Sequence, residues 1–236
     1  MNSRHLQFYL TTETPCSYYD DRLSCNLVPD PNLQLNMPIY NQLIQHGFRR
    51  SGGHCYRPHC KHCHACIACR IPVNEFIPSR SQKRCMKANQ KLKLTAVSAG
   101  FSEEYFELYR RYLDSRHTGG SMANPANEDF RQFLYSKWST TQFIEHRLDG
   151  RLVAVAVTDM VSDGISAVYS FYEPEMAKNG LGNYCILKQI DYAKQLGLDF
   201  VYLGYWIENH PKMHYKINFR PLQVYRDEQW QMQKNP

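Results

Sequence analysis

Residues 142–172 read QFIEHRLDGRLVAVAVTDMVSDGISAVYSFY. Two Asp-Gly pairs, Asp149-Gly150 and Asp163-Gly164, divide this stretch into the runs Gln142–Leu148, Leu152–Met160 and Ile165–Tyr172. Asp-Gly between apolar or alternating runs supplies the positive φ of a tight hairpin, so the stretch predicts a three-stranded antiparallel meander. Downstream, a loop containing Gly180 and Gly182 leads into an amphipathic helix that runs to about Leu196. Ile186, Leu187, Ile190 and Ala193 share one face of it, and Gly197 closes it. A buried strand, Phe200–Gly204, follows, and a helix between two strands predicts a right-handed crossover to a parallel neighbour. Upstream, Ser102 can cap a helix with Glu103 and Glu104 in its first turn, where the macrodipole favours anions. Its apolar face is Tyr105, Phe106, Tyr109, Tyr112 and Leu113. A second helix carries Phe130, Phe133, Leu134 and Trp138. A further short helix is expected from Pro38 to His46, ended by Gly47.

This order of elements predicts an α/β (α+β) fold that resembles the N-acetyltransferase-like (GNAT) core. In that fold two central strands splay apart, and the acyl donor lies in the gap beside the loop–helix junction. Acetyl-CoA enzymes of this kind carry [Arg/Gln]-x-x-Gly-x-[Gly/Ala] there, with backbone N–H groups cradling pyrophosphate. The stretch here is Asn179-Gly180-Leu181-Gly182-Asn183-Tyr184. Asn at the first position and Tyr at the last disfavour CoA. Gly180 and Gly182 are left either as part of another donor site or as a plain turn into a helix.

The chain has 236 residues, 43% of them hydrophobic and 13% aromatic, enough apolar surface for a sizeable core and too much for a disordered chain. The longest near-continuous apolar run, Leu152–Val161, is interrupted by Thr158 and Asp159 and is too short to span a bilayer. The first residues, MNSRHLQFYLTTETPC, lack a basic segment followed by an apolar one, so export is not expected. The nine cysteines are then expected as reduced thiols in a cytoplasmic protein, with no membrane partner. Three regions are expected: a Cys/Pro-rich, mostly irregular region 1–75 with seven of the nine cysteines, a basic connecting segment 76–100, and a GNAT-like domain 101–236.

Two clusters outside the predicted core carry chemistry. Cys60, Cys63, Cys66 and Cys69 stand two residues apart in succession, and Cys16 can supply a distant ligand. Thiolates so spaced can share a zinc ion or an iron–sulfur cluster, and the spacing does not choose between them or against free thiols. The segment from Pro78 to Phe101 holds Arg80, Lys83, Arg84, Lys87, Lys91 and Lys93 with no acid, in a chain of net charge +6. It is either a phosphate-tracking surface or a solvated face.

Several segments together resemble the arginyl-tRNA–protein transferase family. They are Pro15–Tyr18, Gly47–Gly52, Tyr56–Cys66, Phe76–Arg84, Ala167–Tyr172, Gly204–Ile207 and Lys212–Lys216. The short length and the Gly-Tyr-Trp-Ile segment are closest to the bacterial members that move leucine. The resemblance implies transfer of leucine from leucyl-tRNA to the α-amine of proteins beginning with Asp or Glu, which marks them for proteolysis. It also makes sense of a broken CoA loop beside a basic stretch.

The implied chemistry is aminolysis of an ester. An α-amine titrates near ~8, so orientation and oxyanion stabilisation matter more than a strong base. No cofactor is required. The expected catalytic residues are Tyr169, Tyr205, Tyr215 and Lys216 as donors, and Asp159 as acceptor of a hydrogen bond from the attacking amine. Lys83, Arg84, Gly180 and Gly182 are expected on the donor tRNA, with Trp206 as a stacking face for a base. Arg80 is the first choice for the acidic side chain of the acceptor, because its planar fork suits a carboxylate. DNA is not an expected partner. The competing readings are the same reaction from arginyl-tRNA, a non-catalytic RNA-binding module built on a zinc-ribbon-like half, and a CoA-dependent acetyltransferase.

Overall fold

The meander forms, with its first turn at Asp149-Gly150 at positive φ and its second one residue earlier than predicted, at Ser162-Asp163, since Gly164 already opens the third strand opposite Val161. In the computed structural model, which describes residues 6–116 and 124–234, three strands occupy Thr141–Leu148, Arg151–Val161 and Gly164–Tyr172. They are the ninth to eleventh strands among the described residues. β1 (Phe8–Leu10), β2 (Thr14–Pro15), β3 (Leu23–Ser24), β4 (Asn26–Pro29), β5 (Arg49–Ser51), β6 (His54–Pro58), β7 (Ile67–Pro72) and β8 (Lys93–Ser98) precede them. β12 (Phe200–Trp206), β13 (Gln223–Arg226) and β14 (Gln229–Met232) follow β9–β11. The main sheet has eight strands in the order β14-β13-β7-β12-β11-β10-β9-β8. Only the β11–β12 pair in it is parallel, as the crossover requires.

The helices are α1 (Met37–Gln45), α2 (Arg80–Ala88), α3 (Glu103–Arg116), α4 (Asn127–Leu134) and α5 (Leu181–Gln195). Asn36 caps α1 by accepting from the Ile39 N–H at 3.0 Å, and Ser102 accepts from the Tyr105 N–H at 3.3 Å. α4 stops at Leu134. Trp138, expected on its face, lies beyond it, where its Nε1 donates to the Gly53 carbonyl at 3.1 Å and ties that turn to the N-terminal half. Phe130 and Leu134 hold α4 against the sheet, each fully buried and worth about 1.5–3 kcal/mol.

Two expectations for the first hundred residues need correction. Residue 75 is no boundary in the sheet: β7, from the Cys-rich region, lies between β12 and β13 and pairs with both. Its sequence, IACRIP, is buried along nearly its whole length, as a central strand must be. The basic segment is also more than a connector. Ser79 and Gln82 form a reciprocal capping box, with Ser79 N–H donating to Gln82 Oε1 at 2.8 Å and Gln82 N–H to Ser79 Oγ at 3.3 Å. That box starts α2, and the segment ends in β8 at the sheet edge.

β11 and β12 pair over only three positions, Gly164–Ser166 against Phe200–Tyr202, and then part. Each is bulged where they separate. Against β10 the register jumps from Tyr169 to Ala167 and leaves Val168 as the extra residue. Against β7 it jumps from Tyr202 to Gly204 and leaves Leu203 as the extra residue. A bulge bends its strand and increases its twist, so two bulges facing each other open a wedge in mid-sheet.

Candidate functional site

The wedge is filled from the N-terminal half. β5 carries two adjacent arginines whose side chains point to opposite faces, as alternation along a strand dictates. Arg49 Nη2 donates to the carbonyls of Ala167 at 2.8 Å and Val168 at 2.9 Å. Successive carbonyls face one side only because Val168 is the bulged residue. On the β12 side the guanidinium lies over Gly204, where a Cβ would stand 2.2 Å from Arg49 Nη1. Gly204 also has φ +77°, a conformation a side chain disfavours, so glycine is needed there twice over. Arg49 Nη1 is buried and has no hydrogen-bond partner among the described residues.

Lys216 reaches the same wedge from the short helical turn His214–Asn218. It is 5% exposed, its Nζ donates to the Tyr205 carbonyl, and Met213 Sδ lies 3.4 Å away. Burial lowers its pKa to about 8; Arg49 pushes the same way, against the nearby Cys69 and Cys66. Two further buried donors have no partner among the described residues, the Tyr169 hydroxyl and Trp206 Nε1. Burial and the neighbouring Tyr112, Tyr109 and Tyr172 hydroxyls raise the Tyr169 pKa far above its usual value, so this phenol remains a donor.

Of the residues singled out in the sequence, Tyr169 packs among Tyr109, Tyr112 and Phe133, Trp206 packs in a separate core cluster, and Lys216 lies beside Arg49 at the splayed strands. Tyr215, 38% exposed, stands beside Lys216 on the same turn. Three roles are corrected. Asp159 cannot receive an amine. It is fully buried, and its carboxylate takes Arg50 Nε at 2.6 Å, Arg50 Nη2 at 2.8 Å, Thr141 Oγ1 at 2.6 Å and Tyr40 OH at 3.2 Å. The Tyr205 hydroxyl is occupied by the carbonyls of Gly47 at 3.1 Å and Tyr56 at 2.9 Å, which makes it a tie between β12 and the N-terminal half. Trp206 is 2% exposed and packs in the core with Ile217 and Phe219, so it has no open face for a base.

The donor-loop glycines sit against protein. Gly180, at φ +68°, has Cys85 Sγ of α2 beside it at 3.4 Å from a notional Cβ, and Gly182 faces the Tyr172 ring at 3.4 Å. Asn89, the C-cap of α2, donates to the Asn179 carbonyl at 2.9 Å. α2 therefore packs on the loop that holds pyrophosphate in CoA enzymes. Its opposite face exposes Arg80, Lys83, Arg84 and Lys87 together, apart from the wedge.

Cys16, Cys60, Cys63 and Cys66 line one cavity of about 580 Å³ with Tyr18 and Tyr56. Cys69 does not join them: it is 1% exposed on β7, in the core beside Lys216. Arg22 Nη1 lies 3.3 Å from Cys63 Sγ. Burial alone would raise the Cys63 thiol, but the Ala65 N–H and Arg22 outweigh it and lower its pKa. Among the described residues no three His, Cys, Asp or Glu side chains converge closely enough to hold a metal ion, and no step is routed through one.

The comparisons with known proteins bear on the whole of this arrangement. A family profile described as "Arginine-tRNA-protein transferase, N terminus" matches residues 14–84, and its C-terminal counterpart matches residues 104–226. The chain belongs to the arginine-tRNA-protein transferase family. The first match covers Arg49 and the first half of α2; the second covers the meander, α5, β12 and Lys216. A Pseudomonas fluorescens aspartate/glutamate leucyltransferase is 48% identical over 95% of this chain and 96% of its own. One from Hahella chejuensis is 48% identical over 97% and 98%, and one from Pseudomonas aeruginosa 47% over 95% and 96%. The members so named are aminoacyl-tRNA–protein transferases, and the chain is an enzyme of that class. L-PGS from Bacillus licheniformis overlays with a TM-score of 0.47 at 13% identity, covering 74% of this chain and 51% of that one, a likeness too slight to build on. No described helix is long and apolar enough to cross a membrane.

Arg49 was not singled out as a site residue by sequence reasoning. The available signal was an Arg-Arg pair directly after Gly47-Phe48 in a family-like segment. Nothing local to it shows that one arginine is neutralised and the other is not.

Proposed function

We propose that the chain transfers leucine from leucyl-tRNA to the α-amine of proteins beginning with Asp or Glu, and that the wedge between β11 and β12 is where the acyl group is transferred. The observation that carries this is the parting of β11 from β12 beyond Ser166 and Tyr202, with the unpartnered buried Tyr169 hydroxyl on β11 as a donor. The neutral amine attacks the ester carbonyl and the C–N bond forms. Negative charge develops on the carbonyl oxygen, the bond to the ribose oxygen breaks, and the proton released by the nitrogen ends on the ribose hydroxyl. Pre-placed donors with no other partner are what such an oxyanion requires. Ester aminolysis needs no cofactor.

The donor is assigned to the α2 side, with Arg80, Lys83, Arg84 and Lys87 on phosphates and the exposed Tyr215 ring, in place of Trp206, against the terminal base. Leucine suits the site better than arginine. The Tyr169 ring is surrounded by Phe133 at 5.2 Å, Tyr112 at 6.2 Å and Tyr109 at 6.3 Å, and no carboxylate is among the groups acting on its hydroxyl. The family description favours arginyl-tRNA as the second reading. A charged tRNA as donor suits a cytoplasmic reaction, in which a new N-terminal leucine would direct the acceptor to proteolysis.

The test is transfer of label from leucyl-tRNA and from arginyl-tRNA to a peptide beginning with Asp. Label from leucyl-tRNA alone is the expected result, weakened when Lys83 and Arg84 become Ala, with a salt dependence shallower by about one unit of slope per lost contact. Label from arginyl-tRNA alone selects the second reading, and label from neither overturns both.

A further inference from the structure

Two cations meet in the wedge, and no described residue supplies an anion for either. Arg49 keeps one side of its guanidinium on the carbonyls of β11 and leaves Nη1 buried and unpartnered. Lys216, nearly as enclosed, is held only by the Tyr205 carbonyl and the Met213 sulfur among the bonds it makes. The groups acting on its charge are Arg49 and the thiols of Cys69 and Cys66, with no carboxylate among them. Burial pushes those thiols up to about 11 and about 12, so both are uncharged at neutral pH. Desolvating two like charges side by side is costly unless an anion joins them.

We infer that the missing anion is the side-chain carboxylate of the acceptor's N-terminal Asp or Glu, received between Arg49 Nη1 and Lys216 Nζ. This rests on the wedge being the site of transfer. Asn or Gln in the same place brings dipoles but no charge and leaves the cations uncompensated, so selection works through the penalty as much as through the bond. The approach is from the cavity on the N-terminal side. Tyr18, Tyr56 and Cys66 line it, and the first two are within electrostatic reach of Arg49, the third of Lys216. A side chain anchored behind that wall leaves its α-amine free to turn toward an ester arriving from the α2 side. The role moves from Arg80, which is exposed on α2, to a residue contributed by the other half of the chain.

Titration calorimetry of the tRNA-free protein with Asp- and Asn-initiated peptides tests this, alongside leucine transfer and leucyl-tRNA binding. The wild-type protein should bind the Asp peptide at least about tenfold more tightly than the Asn peptide. Arg49→Gln and Lys216→Met should each bring the two within about twofold by weakening the Asp peptide alone, with leucyl-tRNA affinity retained. Lys216→Arg, which keeps the charge, should keep part of the preference. Gly204→Ala should act like Arg49→Gln, because it displaces the guanidinium without removing it. Equal binding of the two peptides by the wild type, or an undiminished ratio in folded Arg49→Gln, overturns the inference. So does a ratio that collapses only in Arg80→Gln, which would return the receptor to α2. Selective Asp binding that needs Arg49, in a protein that moves no leucine, upholds the receptor and removes the transfer reading instead.

Discussion

Arg49 and Arg50 are neighbours on one short strand, and they differ in almost everything that matters. Arg50 is saturated: Asp159 grips it with both oxygens, and the carbonyls of Gly52 at 3.0 Å and Leu134 at 2.9 Å take further N–H groups. Arg49 is half-satisfied, with a buried nitrogen and no acid. A saturated buried cation can only hold the structure together. An unsatisfied one, kept in place by carbonyls and by a glycine that makes room for it, is poised for a ligand. The difference arises because period two sends adjacent side chains to opposite faces. On one face β10 offers a carboxylate; on the other, β11 and β12 part and offer only carbonyls.

The largest effect expected from breaking this contrast is on the saturated side. Arg50→Met strands the Asp159 carboxylate in the core and should cost about 3–5 kcal/mol in urea unfolding, whereas pairing it with Asp159→Leu should recover most of that loss. A double variant as unstable as the single one would mean that packing at this junction, and not the stranded charge, is what matters.

His146 sharpens the contrast from a third direction, as a buried titratable group with no ion partner. Burial holds its pKa down to about 4, from an unfolded value of 6.5. The unfolded chain therefore takes up a proton over that interval while the folded one does not. Stability is full above 6.5 and falls as pH drops toward 4, by up to about 1.4 kcal/mol per pH unit. His146→Phe, by denaturant titration at pH 7 and pH 5, should flatten that slope; an unchanged slope would assign acid sensitivity to other groups.

The meander was legible because its signals are local. Asp149-Gly150 and Asp163-Gly164 mark the two hairpins regardless of the rest of the chain; the first turns where expected and the second at Ser162-Asp163, with Gly164 already in β11. The capping box that starts α2 was equally local, Ser79 followed three residues later by Gln82, but six cations in the same stretch drew attention to charge instead. Asp159 could not be read correctly. A carboxylate inside an apolar strand is either a buried ion pair or a reactive group, and its partner is 109 residues away. Arg49 was harder still, since its state depends on two bulges, at Val168 and Leu203, that exist only once β10, β11, β12 and β7 are paired. Tyr205 and Trp206 lie in a segment the sequence marks, yet the Tyr205 hydroxyl ties β12 to the N-terminal half and Trp206 packs in the core. Strand alternation shows that such side chains are half-buried or buried but not which hydroxyl or N–H has a partner.

Arg49→Met and Arg50→Met, compared for unfolding free energy and for leucine transfer to an Asp-initiated peptide, test the central claim most directly. Arg49→Met should remain within about 1.5 kcal/mol of the wild type while its kcat/KM falls by at least about tenfold. Arg50→Met should show the reverse, a large loss of stability with the preference for Asp over Asn kept in whatever remains folded. An Arg49→Met protein that unfolds as readily as Arg50→Met and still prefers Asp would contradict the account, because it would make the two arginines alike.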